Sequence, residues 1–213
     1  MDASGSFAAA DAIVDALRRG DEAKSMGLID RVTGAGHLSL YLLHACDTGH
    51  PRCTRLLLAA HAAVDQADCN GITPLHAACS KGYYSCARQL LAAHAAVDQA
   101  ACNGVTPLIA ACDKGHGGCV RLLLAAHASV NQADRNGVTP LYVACSKGDC
   151  GCLQLLLTAH AAGDQAASYG ATSLITACDK GHGDIVKLLV HAGARTDLRC
   201  GAGTALDLSL IHI

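Results

Sequence analysis

The chain has 213 residues, with 16 Lys+Arg against 18 Asp+Glu and a formal net charge of -2 with His neutral. Its apolar fraction is 51% and its charged fraction 16%, which excludes a chain disordered by composition and argues against a nucleic-acid binder, since such proteins cluster Lys and Arg to replace phosphate counterions. Trp is absent and the aromatics are five Tyr and one Phe, whereas Gly numbers 22 and Ala 41, a make-up suited to small helices whose backbones approach closely.

In chain order, Met1-Asp2-Ala3-Ser4 lacks a basic flank followed by an apolar stretch, so no signal peptide is expected. No apolar run approaches the roughly 18 residues of a spanning helix, and an intracellular protein, cytoplasmic or nuclear, is expected. Asp11 to Gly20, with Leu28-Ile29 beyond it, forms a first small segment. From about residue 37 the chain repeats with a step of 33, divided at about 37–69, 70–102, 103–135, 136–168 and 169–201. Asn70-Gly71-Ile72-Thr73-Pro74-Leu75 returns at 103–108 and 136–141, and in altered form as Tyr169-Gly170-Ala171-Thr172-Ser173-Leu174. Thr73 is an N-cap and Pro74 an N1 residue, where a missing N–H costs nothing. A short helix over Leu75–Cys79 follows, ended by positive φ at Gly82, and a second helix runs from about Cys86 to Ala93. Asn70-Gly71 is the tip of a hairpin-like turn. A fixed period of this length is the signature of a solenoid, each unit covering its apolar face with its neighbour.

Thr-Pro-Leu-His at 73–76, Ala-Ala-Cys with Gly82, and Leu-Leu-Ala-Ala-His-Ala-Ala-Val-Asp at 90–98 resemble the ankyrin repeat. The resemblance covers about residues 37 to 206 and implies an all-α solenoid of helix-turn-helix units; residues 1–36 are similar to a degenerate N-terminal capping repeat. Two departures stand out. The family's Gly after the second helix is replaced by His61, His94, His127 and His160, with Gly193 keeping the usual residue, and its Ile or Val early in that helix is replaced by Cys. His tolerates the left-handed C′ position better than most residues. The units also alternate, Asp113-Lys114-Gly115-His116-Gly117 returning as residues 179–183. Duplication of a two-repeat block explains this, and so does a partner of matching period.

Thirteen Cys and 12 His raise the question of metal. Structural zinc sites are announced by Cys-x2-4-Cys pairs; the nearest pair here is Cys150-Gly-Cys152, unanswered by a second. Rungs of the His ladder lie a helix-packing distance of about 8–10 Å apart, too far to share one ion. Cysteines at 46, 79, 112, 145 and 178, and at 53, 86, 119 and 152, follow the repeat period and read as core positions, although Cys79 could approach Cys86 across the helix turn. No nucleophile elbow, phosphate loop or His-Glu-x-x-His motif occurs. No enzyme, metal or cofactor is expected.

What remains is surface. The resemblance implies a non-catalytic scaffold that binds a protein through its concave face, at positions flanking the turn Gly and following the Ala pair of the first helix. These are Asp68, Cys69, Ile72, Ser80, Lys81 and Tyr83; Ala101, Val105, Asp113, Lys114 and His116; Asp134, Arg135, Val138, Ser146, Lys147 and Asp149; and Tyr169, Ala171, Asp179, Lys180 and His182. The expected partner is a protein of unidentified kind, bound by a monomer, with neither nucleic acid nor membrane involved. A thiol-based redox- or metal-responsive module is the alternative. Residues 202–213 open an incomplete repeat with no second helix, so a fragment or improvised cap is expected there; the ending Leu-Ser-Leu-Ile-His-Ile also resembles translated sequencing-adapter DNA.

Overall fold

The structure, a computed structural model, describes residues 35–200 and 203–205 and isolated positions between 12 and 27. The expected N-terminal cap and the segment after residue 205 otherwise lie outside the described residues. The chain divides into two compact units, Met1–Cys102 and Asn103–Ile213. In the first, α1 (Ala35–Thr48), α2 (Pro51–Ala59), α3 (Pro74–Lys81) and α4 (Tyr84–Ala92) form two helix pairs. The second holds α5 (Pro107–Asp113), α6 (Gly117–Ala125), α7 (Pro140–Lys147), α8 (Cys150–Thr158), α9 (Ser173–Asp179) and α10 (Gly183–His191). A two-residue antiparallel ladder of β1 (Arg199–Cys200) and β2 (Gly203–Thr204) follows, with Arg199 opposite Thr204.

The first helices start where Thr and Pro place them. Thr73, Thr106, Thr139 and Thr172 are extended, and their hydroxyls accept from the N–H of His76, Ile109, Tyr142 and Ile175 at 3.1–3.3 Å, satisfying a donor that no helical carbonyl can reach. The helix after Gly82 begins at Tyr84, two residues before the expected start, with Tyr83 at the N-cap. At the equivalent place Asp149 caps α8 through its carboxylate, which accepts from Cys152 N–H at 2.9 Å.

Each second helix from α2 to α8 closes on a histidine at φ 60–61°, and α10 closes on Gly193 at φ 85°. His94 N–H reaches Leu91 O and Ala95 N–H reaches Leu90 O, both at 3.0 Å, and the other four ends repeat this pair of bonds. These are Schellman ends, with His or Gly at C′. All four imidazoles are exposed.

Within each unit, first helices pack on first helices and second on second. The core repeats with the sequence: Leu42 and Leu75, then Leu108, Leu141 and Leu174, come from first helices, and Leu57 and Leu90, then Leu123 and Leu156, from second helices, all essentially inaccessible. Side-chain acceptors join the layers as well. Asp65 accepts from Ala96 N–H at 2.9 Å, and Asn131 and Asp164 accept from Ala162 and Arg195 N–H at 2.8 Å. That explains why this repeat position holds Asp or Asn.

Candidate partner-binding surface

The turns that precede the first helices are built by their own side chains. One oxygen of Asp68 accepts from Asn70 N–H at 2.9 Å and Ile72 N–H at 2.8 Å. Asp134 does the same with Asn136 and Val138. At residue 101 the acid is replaced by Ala, and Asn103 takes over in part, accepting from Val105 N–H at 3.1 Å. Adjacent turns are then pinned together by backbone: Cys102 N–H to Asn70 O at 2.8 Å, Arg135 N–H to Asn103 O at 3.2 Å, and Ser168 N–H to Asn136 O at 2.9 Å. Gly71 and Gly104 are needed twice over. Each has positive φ, and a Cβ there would stand 2.7–2.8 Å from the neighbouring turn's backbone nitrogen.

This frame sorts the candidate positions. Asp68 and Asp134 hold turns, and Ile72, Val105 and Val138 are half-buried beside them. Ala101 and Ala171, expected at the surface, are buried at 8% exposure. Ala101 lies against Gly71 of the preceding turn, and Ala171 closes its own turn by accepting from Ala167 N–H. Tyr83 and His182 lean on the preceding repeat: the Tyr83 ring occupies the space beside Gly49, and the His182 ring stands over Gly148 with Nε2 3.4 Å from Ser146 O. Asp149 points its other oxygen toward Gly115. His116 and Ser146 are half-buried, as is Ser80, whose hydroxyl returns to Ala77 O. Cys69, Lys81, Arg135, Asp179 and Lys180 are exposed.

In the second unit, charged and aromatic groups meet on the first-helix side. Asp113 bridges Lys114 at 2.8 Å and Lys147 at 2.9 Å. The hydrogen bonds from Lys114 and then Lys147 hold its carboxyl below the usual carboxylate range. Tyr142 and Tyr169 pack edge to face, with centroids 6.2 Å apart and hydroxyls hydrogen-bonded. Desolvation, followed by that bond, pushes the Tyr169 phenol up to about 12, although 58% of the residue remains exposed.

The first unit holds an open cleft of about 400 Å³. Leu40, Leu43, His44 and Asp47 of α1, Asp68 and Ile72 of the turn, and Ala77 of α3 line it. Leu40 is 55% exposed. The α1 residues were missed because this repeat lacks Thr-Pro-Leu. Without that stop the helix begins at Ala35 and places Leu40 inside a helix, where the next repeat has its capping Thr73. A signal did exist for Asp47, which is Ser80 moved back by one period.

The periodic cysteines line the core. Cys46 and Cys86, in neighbouring repeats, flank Thr54: its Oγ1 is 3.7 Å from Cys46 Sγ and 3.5 Å from Cys86 Sγ. The hydrogen bond with Cys86 and burial both raise the Cys46 thiol. Cys112 is raised likewise by Cys152 and burial. These two pairings run between repeats, 40 residues apart, and not across one repeat's helix turn. Burial, with a smaller contribution from nearby Cys150, pushes Cys145 up to about 12. Among the described residues, no group of three or more His, Cys, Asp or Glu is placed to hold a metal ion, and no helix is long and apolar enough to cross a membrane.

Helix pairs with capped starts, Schellman ends and pinned turns, repeated every 33 residues, define an all-α repeat protein. A family model of ankyrin repeats (three copies) matches residues 11–100, 42–134, 85–164 and 119–200, so the chain belongs to the ankyrin repeat family. Ankyrin repeats are generally protein–protein interaction modules and typically non-catalytic. A search of curated proteins finds no match to the chain.

Proposed function

We propose that this chain is a non-catalytic scaffold that binds a partner protein through its turn-and-first-helix surface, as a monomer inside the cell. The cleft of the first unit carries the reading. There Leu40, Leu43 and Ile72 open to solvent beside the carboxylates of Asp47 and Asp68. Uncovered apolar surface rimmed by polar groups is what a binding site needs. At about 400 Å³ the cleft sits at the low end of the ~300–1,000 Å³ typical of small-molecule pockets. Being open, it suits one anchoring side chain of a partner and encloses no substrate. Its two carboxylates select a segment with Lys or Arg next to an apolar residue. The net charge of -2 supports a protein over a nucleic acid.

Selection of a random displayed-peptide library on the full chain tests this. Enriched peptides should pair an apolar residue with an adjacent Lys or Arg. Their affinity should fall at least tenfold on Leu40→Glu, a change at an exposed position that leaves helix content intact. Peptides that lack the pattern, or that bind the Leu40→Glu chain equally well, would contradict the reading.

A further inference from the structure

Tyrosine enters the second unit at two places where the other repeats lack it. Tyr142 stands where the first helices otherwise have His76, Ile109 and Ile175, and Tyr169 where the turns otherwise have Asn70, Asn103 and Asn136. The two replacements meet. Their ring planes are 85° apart with centroids separated by 6.2 Å, and the Tyr169 hydroxyl donates to the Tyr142 hydroxyl. Two nearly perpendicular rings joined at their hydroxyl tips are the walls of a right-angled corner. A group on the corner's diagonal sits about 4.4 Å from both centroids, inside the roughly 6 Å reach of a cation over an aromatic face.

Both walls are held by backbone. Tyr142 N–H is tied to the Thr139 hydroxyl at 3.1 Å, and Ser168 N–H, beside Tyr169, to Asn136 O at 2.9 Å. Asp134 begins the turn that contains Asn136, its Oδ1 accepting from Asn136 and Val138 N–H. Its charge reaches the corner: after desolvation and the contacts with Tyr142, Asp134 also raises the Tyr169 phenol. Among the described residues no Lys or Arg stacks on either ring, and Tyr169 is largely exposed. The corner presents two aromatic faces and a nearby carboxylate.

We propose that the Tyr142–Tyr169 corner binds a quaternary ammonium head group. Such a cation offers methyl groups to two perpendicular faces at once and needs no hydrogen-bond acceptor, whereas a lysine ammonium is compact and strongly hydrated, and a planar guanidinium covers one face. Asp134 adds attraction for the positive charge. The site belongs to the second unit, uses none of the residues that line the cleft, and stands whether or not the cleft binds a partner.

The test is NMR of the full chain carrying ring-labelled tyrosine, titrated with tetramethylammonium chloride against sodium chloride at equal ionic strength. Saturable shifts are expected for Tyr142 and Tyr169, with Tyr83 and Tyr84 unmoved. Tyr169→Asn, which restores the residue of the other turns, should weaken binding about fivefold. Asp134→Asn, whose amide oxygen can still hold the turn, should weaken it about twofold. The neutral analogue tert-butanol should produce no saturable shift. Choline and acetyl-trimethyllysine amide identify the carrier, the tighter of the two marking a free small molecule or a partner's side chain. Leu40→Glu should bind as the parent does, so a failure here is distinct from a failure at the cleft. No saturable shift at the pair, equal shifts with tert-butanol, or unchanged affinity in Tyr169→Asn would overturn the proposal and leave the pair a staple between a turn and a helix.

Discussion

In the first unit, Cys69 and Cys102 follow Asp68 and Ala101; at the same register in the second unit stand Arg135 and Ser168. The backbone beneath them does not change. Cys102 N–H bonds to Asn70 O, and Ser168 N–H bonds to Asn136 O, at 2.8 and 2.9 Å. The surfaces, however, diverge: the first unit pairs two thiols with an apolar, acid-rimmed cleft, while the second shows the Asp113–lysine bridge and the Tyr142–Tyr169 pair. The period therefore sets caps, C′ residues, turn glycines and core leucines, and the aperiodic positions on that frame carry the distinct chemistry of each unit.

The largest effect should come from breaking the frame at matched places. Leu90 and Leu123 are both fully buried and one period apart. Each Leu→Ala change should cost about 2–5 kcal/mol in urea unfolding, through lost transfer energy and the cavity left behind. If the frame is shared, the two costs agree within about 1 kcal/mol; a wider gap would mean that the units are packed differently.

A smaller effect is expected at the helix ends. His94→Gly and His127→Gly should hold or raise stability by up to about 1 kcal/mol, because Gly adopts positive φ without steric cost. Val at either position should destabilise by more than about 1 kcal/mol, its branched side chain being poorly tolerated there. Thermal melts of the four variants at His94 and His127 decide it. A Gly variant that melts well below its parent would mean the exposed imidazole makes contacts the frame does not require.

The smallest effect concerns the second unit's surface charge. In the folded protein Asp113 is held below its ordinary range, so it stabilises the fold above the unfolded carboxylate pKa of about 3.9 and loses that contribution as pH falls through the lower folded value. Asp113→Asn should flatten the stability profile below about pH 4, and added salt should shrink the difference because all three side chains are partly solvated. A profile identical to the parent's in low salt would show the bridge to be energetically idle.

Much of the frame is legible in the sequence because it depends on local chemistry. Thr-Pro fixes a helix start through one hydroxyl and one missing N–H, and a His or Gly at C′ announces positive φ. The surface is less legible, because which way a side chain leans depends on the neighbouring repeat. Nothing local distinguishes Tyr83, which packs toward Gly49, from Tyr169, which stays largely exposed. Ala101 reads as a surface residue until the close approach of Gly71 buries it. The cleft was hidden for the opposite reason, since α1 lacks the start signal that set the register elsewhere.

Hydrogen exchange of the full chain, with and without a peptide selected on it, tests the binding account most directly. The account predicts slowed exchange in α1 around Leu40–Asp47 and in the turn Asp68–Ile72, with α2 and α4 unchanged. Protection confined to α2 and α4 would place the partner on the second-helix side and contradict it.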